Sequence, residues 1–526
     1  MERRPGRFGV IVVGSVFMVS AILALAPGRA VAGRDHSDMS EDAPDWDDAH
    51  RDRLVCSDTG SEIPEAFVPP GLDVFNLNLA QTKALSRTKN FKIIGHAYFK
   101  GPWNTPFAQT NGLGAGLTKV RVHDGIAYLA GYSGPALTFG VLIADVSDPK
   151  NMQPLSFLPS KPGTRSPYLE VSNSRHILVF GHTRNTANPI LPPPGQPTDS
   201  GWSFFDVSNP ASPVLLSHLS TLPNGSTHGF VMDDRYLYAC GQTVAGTVGD
   251  EFEIFDYQNA SAPFLVSSFH IQGQRPGETP GPMDKKNPNG TPQRLSCHDL
   301  VYHKDRVYIA YRDAGLVVLD VTNRSAPKQL AGYDYVPPFN GDGFGAAHSP
   351  APVIADPNEH PKLVVVTDEM FDCPPGAGHI IDISDIQNPE VVAGDRPANL
   401  IQLSTYRLPH VDDNFDFSTG KFVCLPGTQS IYVPWFDYRS ASLFYQSWYD
   451  QGLRAWDISN PFLPREVGYF LSPRYAAPGR VDRQTREAYQ DPDTGLIYVP
   501  DANGGGLTVL SWTGPIPPNP PLPGAR

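Results

Sequence analysis

One short phrase recurs six times along this chain of 526 residues and limits what it can fold into. It reads Ala144-Asp145-Val146-Ser147-Asp148-Pro149 and Phe205-Asp206-Val207-Ser208-Asn209-Pro210. Looser copies are Phe255-Asp256-Tyr257-Gln258-Asn259, Leu319-Asp320-Val321-Thr322-Asn323 and Ile381-Asp382-Ile383-Ser384-Asp385. Trp456-Asp457-Ile458-Ser459-Asn460-Pro461 completes the set. Apolar runs and turn residues repeating at 50 to 75 residues mark a repeat architecture.

The fourth copy shows the unit most clearly. His298 to Tyr302 alternates as a strand does, and His303-Lys304-Asp305-Arg306 is a polar turn. Val307 to Ala310, Gly315 to Val321 and Lys328 to Tyr333 then read as three further strands. The Asp ends the third strand, where its carboxylate can accept N–H groups of the following turn, so the expected role is structural. Four strands with no helix to cover them bury their faces only against copies of themselves, which predicts a ring of sheets, a β-propeller.

Six blades carry the phrase. A seventh, Gly495 to Val499 and Gly506 to Trp512, runs out of chain before its fourth strand. Phe91 to Tyr98 resembles Arg465 to Phe470, the fourth strand of the sixth blade. The prediction is an all-β, seven-bladed propeller of four-stranded antiparallel blades, closed by that N-terminal outer strand. The 48 Gly and 54 Pro suit many turns, and no long run has helical spacing.

Residues 1–32 read as a signal peptide. Arg3, Arg4 and Arg7 precede an apolar run from Phe8 to about Pro27, and Ala30-Val31-Ala32 fits a cleavage site before Gly33. The competing reading is an uncleaved membrane anchor. Residues 33–70 are acidic and aperiodic, a disordered tether; 71–513 form the propeller; 514–526 are a Pro-rich tail. The expected location is secreted, periplasmic or cell-surface, with no membrane span after signal removal. A net charge of -13 argues against nucleic acid as a partner. Five cysteines (Cys56, Cys240, Cys297, Cys373, Cys424) match no zinc motif, and their pairing cannot be assigned from spacing.

The repeat phrases Tyr128-Leu129-Ala130, Gly315 to Val321 and Asp457-Ile458-Ser459-Asn460-Pro461 resemble those of the LVIVD-repeat family of extracellular propeller proteins. The resemblance covers roughly residues 90–513 and implies the fold, while the family's function is poorly defined.

Aligning blades on the second-strand tyrosines places His228 and His298 at one position, each opening a first strand. His348 and His410 fall in comparable places in the next two blades, whereas the other blades have Thr118, Tyr168 and Ala488, with Glu487 beside the last. If the first strand lines the central channel, as in YVTN-type propellers, the four imidazoles converge at its mouth. Neutral imidazole is the commonest ligand of transition metals, so His228, His298, His348 and His410 are the expected ligands of iron, copper or zinc. The geometry is similar to the four-histidine centre of carotenoid-cleaving oxygenases, whose other motifs are not found here. Alternatively, a histidine opening a strand can hydrogen-bond the neighbouring blade and hold the ring together. Cys297 is a further candidate ligand, and Asp299, Asp412 and Asp413 are candidates to orient imidazoles. Gly504-Gly505-Gly506 is a turn before a strand, and no Walker or dinucleotide motif implies a nucleotide cofactor.

Insertions are expected at 184–201, 272–296, 334–347 and 436–450, the last rich in aromatic residues, with 272–296 and 334–347 placed as a lid over the mouth. Two functions stay open. One is a secreted metalloenzyme that oxidises, cleaves or hydrolyses a small molecule. The other is a non-enzymatic extracellular binding module that grips a protein or glycan with its loops.

Overall fold

The structure is a computed structural model. It describes residues 77–99, 116–131, 140–184, 196–279, 295–334, 347–369, 376–408, 434–449, 451–473, 485–502 and 504–523, with short stretches at 72, 415–416 and 421–422.

Seven four-stranded antiparallel units lie among the described residues, and we number them as blades in chain order. Blade 1 holds Leu117–His123, Ile126–Gly131, Val141–Asp145 and Gln153–Leu158. Blade 2 holds Leu169–Ser172, Ile177–Arg184, Gly201–Asp206 and Val214–Ser220. Blade 3 holds Thr227–Met232, Tyr236–Gly241, Glu251–Asp256 and Phe264–Phe269. Blade 4 holds Leu295–His303, Arg306–Arg312, Leu316–Asp320 and Lys328–Tyr333. Blade 5 holds Ala347–Pro352, Leu363–Asp368, Gly378–Asp382 and Ile401–Tyr406. Blade 6 holds Pro434–Asp437, Ser440–Ser447, Leu453–Asp457 and Arg465–Leu471, with Arg87–Lys89 added outside. Blade 7 holds Tyr489–Gln490, Ile497–Asp501 and Gly506–Trp512, and Phe91–Ala97 supplies its fourth strand as expected.

Seven apolar clusters lie at the seven blade junctions. Val179 and Trp202 of blade 2 meet Phe230 and Leu237 of blade 3, and Leu443 and Tyr445 of blade 6 meet Ile497 and Val499 of blade 7. Val120 and Leu129 of blade 1 meet Tyr489 and Tyr498 of blade 7, which closes the ring. Each sheet is therefore covered by its neighbours, the arrangement a helix-free repeat requires. Closure leaves the third strand of blade 7 no open edge, and Phe91 packs edge-on to Trp512 with ring centroids 5.0 Å apart.

The repeated aspartates do what their position predicts. Oδ1 of Asp145, Asp206, Asp256, Asp320, Asp382 and Asp457 accepts the backbone N–H two residues on, at 2.8–2.9 Å. The turn so fixed is also a docking surface for the preceding blade. Ser156 donates to the Pro210 carbonyl at 2.6 Å, and Ser217 to Ala260, Ser267 to Arg324 and Ser404 to Pro461 at 2.5–2.6 Å. At the ring closure the same place is taken by Gly95, where a Cβ would lie 1.7 Å from the Pro149 carbonyl oxygen.

One expectation is corrected. Residues 436–450 are not an insertion: Ser440–Ser447 is the second strand of blade 6, and Phe444, Tyr445 and Trp448 are core residues. The aromatic alternation is that of a strand buried on both faces. Helix is scarce, as expected; Leu79–Leu85 carries a reciprocal cap between Asn78 and Gln81. The signal peptide, the tether, and most of the 272–296 and 334–347 segments lie outside the described residues. No helix of the described residues is long and apolar enough to cross a membrane.

Two predictions follow from this packing. Gly95→Ala forces a methyl group into the Pro149 carbonyl and is expected to cost about 1–3 kcal/mol, read as a lower midpoint in urea. Glu253, on the third strand of blade 3, accepts from Thr243 through Oε1, and burial pushes its carboxyl up to about 8. An acid held protonated by the fold loses stability as pH rises from its ordinary value towards that raised one. Melting temperature is thus expected to fall between about pH 5 and 8 in the native chain and to fall less in Glu253→Gln.

Candidate metal centre at the channel mouth

Hydrogen-bond register refines the alignment of the first strands. Pairing of Leu300 with Ile309, Phe230 with Ala239 and Pro350 with Val366 puts His298, His228 and His348 at one position. The same position is Thr118 in blade 1. It is Pro167 rather than Tyr168 in blade 2, and Arg486 rather than Ala488 in blade 7, since the ladder and not a shared tyrosine sets the count.

The three histidines lie in a row. Ring centroids of His228 and His298 are 3.8 Å apart, and those of His298 and His348 4.5 Å. His298 and His348 are buried, with 3% and 2% of their side chains exposed. His298 Nδ1 lies 2.8 Å from the carbonyl oxygen of His348, and His228 Nδ1 lies 3.0 Å from that of His298. A carbonyl only accepts, so each Nδ1 carries the hydrogen and each Nε2 the lone pair. Tyr168 Oη shares the His228 Nδ1 at 3.0 Å. Burial, reinforced by Arg312, holds His228 and His298 well below the usual imidazole range, so both stay neutral and able to ligate.

Thr118 clarifies what the histidines add. Its hydroxyl donates to the Pro167 carbonyl at 2.9 Å, the same link to the next blade that His228 and His298 make. A hydroxyl thus suffices to stitch neighbouring blades. The imidazole supplies the stitch plus a second nitrogen, which is what a metal site needs.

The third donor is Glu369. Its Oε2 lies 3.6 Å from His348 Nε2 and 3.9 Å from His298 Nε2, and donor atoms of the three residues all lie within 4.8 Å of one another. Arg312 donates to Oε2 and the Tyr449 hydroxyl to Oε1, both at 2.7 Å. Burial alone would raise the Glu369 carboxyl, but His348 beside it, the Arg312 guanidinium and the Tyr449 hydrogen bond outweigh it and keep the group ionised. Tyr449 is held in turn by Arg486, whose Nη1 is 2.9 Å from the phenol oxygen and whose guanidinium lies 4.3 Å from the ring centroid.

Arg312, Glu369 and Tyr449 are one position in blades 4, 5 and 6, four residues past Tyr308, Val365 and Tyr445. Arg312 and Tyr449 hold positive φ of 47° and 28°, an uncommon conformation for non-glycine residues that clusters at functional sites. The period that aligns the histidines would have found these three, had it been applied to the ends of the second strands.

The other candidates resolve variously. His410, Asp412 and Asp413 lie outside the described residues, and the strand opening blade 6 is Pro434–Asp437. Cys297 is not a ligand: it forms a disulfide with Cys240, tying the residue before His298 to the second strand of blade 3. Asp299 accepts from Ser349 Oγ at 2.9 Å and orients no imidazole in the described contacts; burial lifts it to about 6. Gly504 to Gly506 form a turn before a strand, as expected.

The family profile of the LVIVD repeat matches residues 201–221 and 300–334. The chain carries LVIVD repeats on a β-propeller fold. The matched segments hold the third and fourth strands of blade 2 and nearly all of blade 4 from Leu300 onward. No curated protein matches the sequence. Among solved structures, the periplasmic gluconolactonase PpgL of Pseudomonas aeruginosa is 14% identical, with 73% of this chain and 90% of that one covered at a TM-score of 0.47. The WD40 β-propeller domain of Doa1 is 10% identical over 80% of this chain and 97% of its own, at 0.43. The Cps50 (Swd1) β-propeller domain of Myceliophteria thermophila is 11% identical over 76% and 97%, at 0.45.

The disulfide gives a test of how the site is held. Replacing both Cys240 and Cys297 by Ser is expected to lower stability by about 2–4 kcal/mol in chemical denaturation. Replacing either alone should give the same loss, since one cysteine cannot form the bridge.

Proposed function

We propose that this LVIVD-repeat propeller binds one divalent transition ion at the channel mouth through His298, His348 and Glu369, and acts there on a small molecule. The supporting observation is the convergence of two imidazoles and a carboxylate from adjacent blades, with the His298 tautomer set by a backbone carbonyl. Two histidines and one carboxylate suit zinc in hydrolases and iron(II) in non-haem oxygenases. Such an ion supplies Lewis acidity, polarising an oxygen of the substrate. The chain's own residues orient the donors: His348 and Arg312 place their neighbours, and Tyr449 with Arg486 keeps the carboxylate ionised and aimed. His228, tilted against His298 with ring centroids 3.8 Å apart, lies beside this group and not in it, although the sequence placed it among the ligands.

The rival reading, a non-enzymatic binding module, draws on the same Nδ1 stitches, which hold blades together with no ion. Export is part of the proposal; a buried disulfide accords with an oxidising compartment.

Elemental analysis of the purified chain decides between the two. We expect about one equivalent of zinc or iron, reduced at least tenfold in His298→Ala and in Glu369→Gln, and retained in Thr118→Ala. Metal absent from the native chain after incubation with either ion, or present equally in all four proteins, overturns the metal reading.

A further inference from the structure

The channel has a second end, and it is built differently. Three residues beyond the histidine position, roughly 10 Å along each first strand, the register gives Arg121, Glu170, Val301, Ala351, Trp435 and Tyr489 in six of the seven blades. All six line one open cavity of about 630 Å³. That volume lies within the range of small-molecule sites. Between the two ends, Lys119, Glu487, Asp299 and Ser349 occupy the intermediate position and are buried, so the cavity is separate from the histidine cluster.

Its charges cancel internally. Arg121 is bound by both oxygens of Glu170 at 2.8–2.9 Å and pairs with Glu487 at 2.8 Å, and Lys119 pairs with the same two carboxylates. At the rim, Asp437 is paired with Arg439. Two cations meet two anions at the floor and one meets one at the rim, leaving no net charge to attract an ion. Two of the polar side chains, Gln490 and Asn519, are also engaged. Gln490 accepts from the Tyr438 N–H and donates to Asp437 and Gly495, and Asn519 accepts from the Ala441 N–H. Most of the remaining lining is aromatic and aliphatic, with the His123 imidazole and the Tyr438 hydroxyl beside it. The Arg121 guanidinium sits 5.1 Å from the Trp435 ring centroid and 5.4 Å from that of Tyr489, fixing both rings at the floor. Ile354, 37% exposed, flanks the opening.

We propose that this cavity binds a small uncharged aromatic molecule of one or two rings, stacked on Trp435. A charged ligand would have to surrender its hydration to a site without net opposite charge. A sugar would bury a ring of hydroxyls that the His123 imidazole and the Tyr438 hydroxyl are too few to satisfy, since Gln490 and the floor charges are already paired. An uncharged aromatic ring loses neither and gains contact with Trp435 and Tyr489. The chain after blade 7 contributes a wall. Ser440 Oγ donates to the Pro517 carbonyl at 2.8 Å, and Leu522 packs against the cluster that holds Ala441 and Phe444, which brings Asn519 to the cavity.

Calorimetric titration of the purified full chain tests this with three probes: 1-naphthol, 1-naphthalenesulfonate and methyl glucoside. Saturable binding of 1-naphthol is expected, with the sulfonate and the glucoside at least tenfold weaker. Trp435→Ala should weaken 1-naphthol about tenfold, a change of the size expected for losing one aromatic partner. Ile354→Trp, a substitution at a partly exposed site that narrows the opening, should do the same without unfolding the chain, checked by circular dichroism. The metal content of both variants should equal that of the native chain. The proposal is overturned if 1-naphthol fails to saturate, if either competitor binds as tightly, or if Ile354→Trp binds 1-naphthol as the native chain does.

Discussion

A four-stranded sheet that is apolar on both faces cannot exist alone in water, and everything else in this protein follows from how that constraint is met. Each blade buries one face against the blade before it and the other against the blade after it, and the last must meet the first. Phe91–Ala97 makes this possible by pairing with Gly506–Trp512 across more than 400 residues of chain. The junctions are fastened twice, by apolar clusters and by hydrogen bonds that cross between blades at fixed positions. Ser156, Ser217, Ser267 and Ser404 reach the next turn at the outer strands. Thr118, His228 and His298 reach the next carbonyl at the inner ones.

The candidate centre grows out of the inner fastening. A donor is needed there to satisfy the carbonyl that opens the next first strand, and either a hydroxyl or an imidazole will serve. Where imidazole is used in blades 4 and 5, the Nε2 atoms of His298 and His348 both lie within 4 Å of one carboxylate oxygen. Glu369 then enters from the end of a neighbouring second strand, between Arg312 and Tyr449, which occupy the same place in the flanking blades. The positive φ of Arg312 and Tyr449 indicates that local conformational energy is spent to keep this constellation.

Much of this was legible in the chain. The Asp phrase located the third strands and the turns after them, because a strand-ending carboxylate that caps a tight turn leaves a fixed pattern. The equivalence of His228 and His298 came from counting on that ruler, and His348 proved to belong with them. The aromatic stretch in blade 6 misled because Trp435 to Tyr449 has no Gly, and its one turn-capping Asp, Asp437, stands among aromatic residues; strands buried on both faces carry no polar alternation to betray them. Glu369 was missed because nothing local distinguishes a carboxylate at a strand end that faces buried histidines from one that faces solvent.

By itself the sequence determined the repeat, its strand content, the closing strand and the position at which imidazoles open the first strands. These depend on local alternation and turn chemistry, which are written in neighbouring residues. Only the tertiary structure decided that Nδ1 of one histidine meets the carbonyl of the next, that Glu369 completes the group, that Cys240 pairs with Cys297, and that Arg121, Trp435 and Tyr489 form a floor. Each of these joins residues of different blades, and their distance is set by the curvature of the closed ring rather than by any spacing along the chain.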